Sequence, residues 1–327
     1  MSTGRIAGIG SVNLDHYLRV PAIPQPGETV LAGSVHTSVG GKSFNQAAAA
    51  RLLGGDVEFV AMVGADGPAR AVKDDLRDLG IASDRVLVCQ DEPTGSAFIS
   101  VDDAGENAIV VVQGANARLT ATDEVDAAVA EAEVVLLALE ISAETVAACA
   151  RRAAANGAKV VLNLSPYRPV TEDLLRDCFV VIVNHHELTR LLSGTATPDL
   201  TGSWAETAAT LRRRGIRRAI VTLGSRGSVL FESGEYTRIS AVPVRAVDTT
   251  GSGDAFAGAI GYGLSIGLDL AEAAGLASEV GAFAATGPGA RRSYPTMQQL
   301  TAWRTSVGFG RPNCRPGRHT DRTAGCR

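Results

Sequence analysis

Six short, near-continuous apolar runs constrain this chain more than anything else in it: Ile6–Gly10, Val57–Val63, Val134–Ala138, Lys159–Asn163, Phe179–Val183 and Ala219–Leu223. A strand wetted on one face alternates polar with apolar residues. Unbroken runs therefore predict strands covered on both faces, as in a parallel sheet. The stretches between them carry helix-end signals. Asp66 opens a helix that Gly80 closes, Ser203 with Glu206 reads as a capping box for a helix ending at Gly215, and Asp269 with Glu272 opens another. Such alternation predicts an α/β fold: a doubly wound, mainly parallel sheet flanked by helices and joined by right-handed crossovers. With 45% hydrophobic but only 5% aromatic residues, close packing of small side chains between helix and sheet is favoured over an aromatic-rich sandwich.

Two segments, about 14–39 and 96–112, do not fit this pattern. The first holds His16–Val20 and Glu28–Ser38 as strand candidates, with Pro21, Pro24 and Pro26 between them; the second reads as two strands around the turn Asp102-Asp103-Ala104-Gly105. A small β-sheet lid over one end of the large sheet accounts for both, and lone strands there would be exposed edges. The expected organisation is one domain over residues 1–307 with these lid segments. Residues 308–327, with five Arg against one Asp and no apolar periodicity, read as a basic, disordered tail.

Composition excludes several classes. A net charge of −4 leaves no basic excess for nucleic acid. The five cysteines show no CxxC spacing, so neither a zinc site nor a disulfide framework is expected. The start MSTGRIAGIGSVNLD lacks a signal pattern and no apolar run reaches membrane-spanning length, which predicts a cytoplasmic protein without a membrane partner.

Three glycine-rich stretches remain. Gly8-Ile9-Gly10 begins like a dinucleotide fingerprint, but Asn13 replaces the third glycine and no helix follows, which argues against NAD. Asn13 and Asp15 stand instead where open α/β sheets bind ligands, and suit sugar hydroxyls as well as they suit a plain turn. Gly40-Gly41-Lys42-Ser43 resembles the end of a P-loop, yet the required earlier glycine is His36 and no buried strand precedes it. A glycine turn opening the helix Ser43–Leu53 is left, with Lys42 and Asn45 as donors toward a ligand or as incidental surface groups. In Asp248-Thr249-Thr250-Gly251-Ser252-Gly253-Asp254, a Gly-x-Gly turn opens a helix whose free N–H groups and dipole make an anion hole fit for a transferring phosphoryl group. Asp254 at its mouth reads as a general base, with a plain N-cap as the other reading.

Taken in order, GSVNLDH, GGKSFNQA, Asn184-His185-His186-Glu187, Thr222-Leu223-Gly224-Ser225-Arg226-Gly227 and DTTGSGDAFAG resemble the ribokinase-like sugar kinases, the phosphofructokinase B family, from about residue 5 to 307. The resemblance implies transfer of the ATP γ-phosphoryl group to the primary hydroxyl of a small sugar, ribose first, with a fructokinase or nucleoside kinase next and a non-catalytic sugar-binding protein as the reading from another class. It implies Asp254 as base, with Gly251, Ser252 and Gly253 holding the phosphoryl group. Sugar contacts would come from Asn13, Asp15, Gly40, Gly41, Lys42, Asn45 and Glu140. Asn184 and Glu187 would organise phosphate and Mg²⁺, and Thr222, Gly224, Gly227 and Ser278 would line the nucleotide site. A monovalent cation, K⁺, would sit among Asp248, Thr250, Ala284, Gly287, Gly289 and Ser293. A homodimer through the lid is expected. Phe44 replaces a small residue of the family and is expected to shape the sugar pocket's edge. Arg291 and Arg292 read as exposed loop residues or as contacts for a phosphorylated sugar.

Overall fold

The computed structural model describes residues 3–192 and 203–306. The tail at 308–327 lies outside them. In chain order the strands are β1 (Arg5–Ile9), β2 (Asn13–Arg19), β3 (Ser34–Gly40), β4 (Asp56–Gly64), β5 (Val86–Cys89), β6 (Gly95–Val101), β7 (Asn107–Val112), β8 (Val134–Ala138), β9 (Lys159–Asn163), β10 (Val180–Asn184), β11 (Arg218–Thr222), β12 (Ser228–Glu232) and β13 (Glu235–Ile239).

Nine of them form one sheet in the order β13-β12-β11-β10-β9-β8-β1-β4-β5. From β11 to β5 every pairing is parallel, while β12 and β13 add an antiparallel edge. The six apolar runs are all strands of this sheet. Their continuity follows from two cores, one on each face. Val134, Leu136, Val161, Ile182 and Ile220 point into one core; Val135, Leu137, Leu162, Val181 and Val221 point into the other. Each such side chain, fully withdrawn from water, contributes about 1.5–3 kcal/mol.

Helix ends follow their signals at two of three places. Asp66 accepts from the Ala69 N–H at 3.1 Å, and Gly80 closes that helix with φ 67°. Asp269 and Glu272 form a complete capping box. The Ser203 side chain makes no cap bond. The Trp204–Arg213 helix begins on backbone bonds, with Trp204 buried against Phe231 at a ring distance of 5.9 Å, so packing rather than a capping box sets that start.

The second sheet has the order β3-β2-β6-β7. It starts where β1 ends, because only Gly10-Ser11-Val12 separate β1 from β2. The first of its two segments is strand over a shorter stretch than expected: 28–33 is irregular and β3 begins at Ser34. The three prolines just upstream lack the N–H a ladder needs. The turn at Asp102 forms as expected, its carboxylate accepting from the N–H groups of Ala104 and Glu106, both at 2.9 Å. Every residue of β7 is exposed, including Ile109, Val110, Val111 and Val112 on an unpaired edge. Among the described residues no helix is long and apolar enough to cross a membrane.

Candidate active site

The site lies at the carboxyl ends of β1, β8, β10 and β11, where two helices that start on glycine turns pack side by side. The helix Lys42–Leu52 brings Ala47–Ala50 against the helix Ser252–Ser265. A Cβ on Gly258 would stand 2.8 Å from the Ala49 Cβ, so small residues on both faces allow this approach.

The first helix start is closed by protein atoms. Gly41 has φ 94°, and a Cβ there would lie 3.0 Å from the Val12 Cα. The Lys42 N–H donates to Glu140 Oε2 at 2.9 Å, the Ser43 N–H to Ser11 Oγ at 3.3 Å and the Phe44 N–H to the Ser11 carbonyl at 3.1 Å. Ser11 Oγ in turn donates to Glu140 Oε2 at 2.7 Å. Glu140 therefore holds the turn together, a role its place just beyond β8 does not reveal. Phe44 does not shape the sugar pocket. It is fully buried and meets Phe59 edge-on at 5.9 Å, because its position in the helix points it at β4.

Polar atoms converge beside that turn. Asn45 Nδ2 donates to Asp254 Oδ2 at 3.0 Å, and Lys42 Nζ stands 3.9 Å from Asp254 Oδ1. Asp254 and Asp15 are 5% and 6% exposed. Burial, then Glu140 and Asp254, push the Asp15 carboxyl up to about 7 against the pull of Lys42. Asp254 raises the Lys42 ammonium above its ordinary value, burial opposes this, and Glu140, Glu187 and Asp15 add to it. The Asp15 carboxylate fills the space where a Cβ on Gly40 would lie. Asp15 Oδ1, Asn45 Oδ1 and Asp254 Oδ1 are buried without a hydrogen-bond partner among the described residues. Buried polar atoms are rarely left so, and a ligand rich in hydroxyls satisfies all three.

Asn116 is a residue that sequence reasoning misses. Its amide donates to Asn13 Oδ1 at 2.8 Å and to the Val12 carbonyl at 3.1 Å, and its oxygen accepts from the Val12 N–H at 3.0 Å. It sets the Asn13 side chain. Its one signal is a lone buried Asn in the short turn Gly114–Arg118.

The second helix start differs. Its N-cap is Gly251 with φ 74° and no side-chain cap. The Ser252 N–H reaches the Thr249 carbonyl at 3.1 Å and the Ala255 N–H the Gly251 carbonyl at 2.9 Å. The N–H groups of Gly253 and Asp254 have no acceptor among the described residues, the condition of an anion hole. Behind the turn, Tyr294 Oη donates to the Gly251 carbonyl at 2.9 Å. Burial, then Asp254, Tyr17 and Asp15, hold that phenol far above its ordinary value.

Asp248 ties this turn to the 284–293 loop. Its two oxygens accept from the Thr250 N–H at 2.9 Å and the Gly289 N–H at 2.8 Å. Burial opposes its charge, yet bonds from Thr250 and Gly289 hold the carboxyl below its ordinary value. Ser293 Oγ lies 2.9 Å from the Gly289 carbonyl, and the Gly287 N–H 3.3 Å from the Ala284 carbonyl. All six residues singled out for a monovalent cation thus lie on two segments joined through Asp248.

At the other end, Asn184 and Thr222 are register partners on β10 and β11. Asn184 and Glu187 cap each other reciprocally, at 2.8 and 2.9 Å. Gly224 has open space where a Cβ would lie, while one on Gly227 would meet the Ala241 N–H at 2.7 Å. Ser278 bonds back to the Ala274 carbonyl at 2.9 Å in its own helix and makes no hydrogen bond to the Thr222–Gly227 segment. Arg291 is half-buried on Asp75 at 2.7 Å, and only Arg292 is exposed.

Residues 4–297 match the model of the pfkB family of carbohydrate kinases. The chain belongs to this family. It is therefore a phosphotransferase with a hydroxyl acceptor, and the Gly10 turn runs into β2 and not into the helix that a dinucleotide fingerprint needs. Among similar proteins, the ribokinase of Haemophilus influenzae is 33% identical over 293 residues, 89% of this chain and 95% of that one. The ribokinase of Staphylococcus aureus is 30% identical over 91% of this chain and 99% of that one. The crystal structure of Thermotoga maritima ribokinase superposes with a TM-score of 0.84 at 29% identity, covering 93% of this chain and 100% of that one. Arabidopsis thaliana ribokinase complexed with ribose and ATP gives 0.84 at 30% identity, covering 92% and 98%.

Proposed function

We propose that this pfkB-family chain transfers the γ-phosphoryl group of ATP to the primary hydroxyl of D-ribose, giving ribose 5-phosphate and ADP. The observation that carries this reading is a buried Asp254 oxygen without a hydrogen-bond partner among the described residues, beside a helix start with two open N–H groups. Similarity to a ribokinase complexed with ribose and ATP supports the choice of substrates. The fructokinase and nucleoside kinase readings leaned on Phe44, which belongs to the core.

Asn13, Asp15, Gly40, Gly41, Lys42, Asn45 and Glu140 hold the sugar. Asp254 takes the proton as the hydroxyl oxygen attacks the γ-phosphorus. The bond to the bridging oxygen breaks and ADP leaves. The turn Gly251-Ser252-Gly253 aims the open N–H groups of Gly253 and Asp254 where charge develops, the Ser252 N–H being held by the Thr249 carbonyl, so positioning and neutralisation carry the rate. Lys42, kept cationic by Asp254, supplies a nearby positive charge.

Mg²⁺ is held by one or two carboxylates and the nucleotide's phosphates. Asn184 and Glu187 stand at that end; the ion would neutralise phosphate charge. Thr222, Gly224, Gly227 and Ser278 take the nucleotide. The oxygen donors of Asp248, Thr250, Ala284, Gly287, Gly289 and Ser293 suit a hard monovalent cation such as K⁺. The small sheet excludes water over the sugar. Its bare β7 edge, with Val110 64% exposed, favours a homodimer that pairs these sheets. We infer a cytoplasmic location.

Purified protein given ATP, Mg²⁺ and D-ribose is expected to release ADP. Asp254→Asn should lose about 10²–10⁴-fold in kcat while still binding ribose by calorimetry. A variant as fast as the parent would remove Asp254 as the base. ADP release with none of ribose, fructose, 2-deoxyribose or nucleosides, with K⁺ present, would defeat the sugar assignment.

A further inference from the structure

We propose that Tyr294 is a positioning residue for phosphoryl transfer: its hydroxyl locks the peptide of Gly251 so that the open N–H groups of Gly253 and Asp254 stay aimed at one point. This rests on the kinase reading above.

The Gly251-Ser252-Gly253 turn is poorly defined by its own residues. Two of the three are glycines, which rotate between positive and negative φ at little cost. Gly251 offers no side chain to cap the helix. Nevertheless, an anion hole stabilises a transition state only when its donors are fixed before the reaction begins. The fixing must therefore come from outside the turn.

Tyr294 supplies it. Its Oη donates to the Gly251 carbonyl at 2.9 Å, and the same carbonyl accepts the Ala255 N–H at 2.9 Å. With the Ser252 N–H on the Thr249 carbonyl at 3.1 Å, both ends of the Gly251–Ser252 peptide are held, and a peptide flip would break all three bonds. The fit is close. A Cβ on Gly251 would lie 2.6 Å from Tyr294 Oη and 2.6 Å from the Ala290 Cβ, so residue 251 has room only for hydrogen on that side. Tyr294 is itself braced. It is 5% exposed, and it follows the short helix Arg291–Ser293, which is pinned by Arg291 on Asp75 at 2.7 Å and by Ser293 Oγ on the Ala290 carbonyl at 2.7 Å. A hydrogen bond from a side chain this constrained orients its acceptor.

Tyr294→Phe keeps the ring and removes only the donor. The expected result is a fall in kcat of about tenfold, smaller than the loss of a donor touching the transition state, with ribose and ATP KM within twofold of the parent. A kcat equal to the parent's overturns the proposal. So does a parallel loss of kcat, both KM values and thermal midpoint, which would mean a general packing role. Inorganic phosphate titrated into ¹⁵N-labelled protein reads the turn without turnover. The Gly253 and Asp254 amides should shift in the parent, with about fivefold weaker phosphate binding in Tyr294→Phe. If the parent phosphorylates no sugar but the variant still weakens phosphate, the kinase reading falls and the role of Tyr294 stands. If parent and variant bind phosphate alike, that role falls.

Discussion

Two helices in this molecule begin on a glycine in the left-handed half of the backbone map, at Gly41 and at Gly251, and they lie against each other. By motif alone the first looks more like a phosphate loop. Its N–H groups are nevertheless spent: Glu140 and Ser11 take those of Lys42, Ser43 and Phe44. Two of those at Gly251 are not. A glycine-capped helix start is thus an anion site only if the protein leaves its donors free, and at the first turn Ser11 together with Glu140, a carboxylate about a hundred residues away, takes them. The surrounding charge agrees. Asp15 and Glu140 stand beside the first start, carboxylates that suit hydroxyls better than phosphate, while Asp254 lies between the two starts with Lys42 as the near cation.

The comparison can be broken most directly at the second start. Gly251→Ala puts a methyl group onto Ala290 and Tyr294 at a φ that L-residues avoid. Steady-state kinetics should give kcat reduced by about 10²–10³-fold, as for loss of an oxyanion donor, with ribose binding retained by calorimetry. Full activity would mean that the phosphoryl group sits elsewhere. Glu140→Ala sharpens the contrast from the other side. It strands the Lys42 N–H and the Ser11 hydroxyl, and urea melts should register about 1–3 kcal/mol of destabilisation. With the first start uncovered, inorganic phosphate should protect the variant more than the parent; an unchanged midpoint would show that Glu140 does not close the helix. Asp15→Asn has the smallest effect. The folded carboxyl at about 7 lies above its unfolded value, so the folded protein binds more protons between about pH 4 and 7. Stability from this group is therefore present at low pH and lost as pH rises through 7. Asp15→Asn should remove a fall of about 2 kcal/mol between pH 5 and 8, read from urea melts at both values, while weakening ribose binding.

Much of this was legible beforehand, for reasons that also mark the limits. Burial on both faces writes itself into a strand as an unbroken apolar run, so the parallel strands from β4 to β11 could be placed to within a residue or two. The edge strands β5 and β13, and β12 beside the latter, escaped because a short run beside a turn has no distinctive period. Asp66, Gly80 and Asp269 announce their helix ends through chemistry local to the chain. Ser203 made the same announcement, and a buried Trp204 set that end instead. The candidate site was visible where residue type and chemistry coincide, as at Asp254, Asn13 and Lys42. It was not visible where direction matters. Phe44 adjoins Asn45 in sequence but points about 100° away around its helix, into the core against Phe59. Asn116 and Tyr294 act on backbone atoms far along the chain, and no local pattern encodes such a bond.

The clasp made by Asn116 has a mechanical consequence. Asn13 and Gly95 are paired where β2 and β6 begin, and the Asn116 amide closes on Asn13 at the same point, so three of the small sheet's connections to the body meet at one root. A sheet anchored this way behaves as a lever. Any rocking about the root moves Asp15, two residues out, far less than Asp102 at the tip. Asp15 therefore stands close to the pivot of the small sheet and Asp102 far from it, so a displacement of the sheet's tip would carry over to the candidate site only in small part.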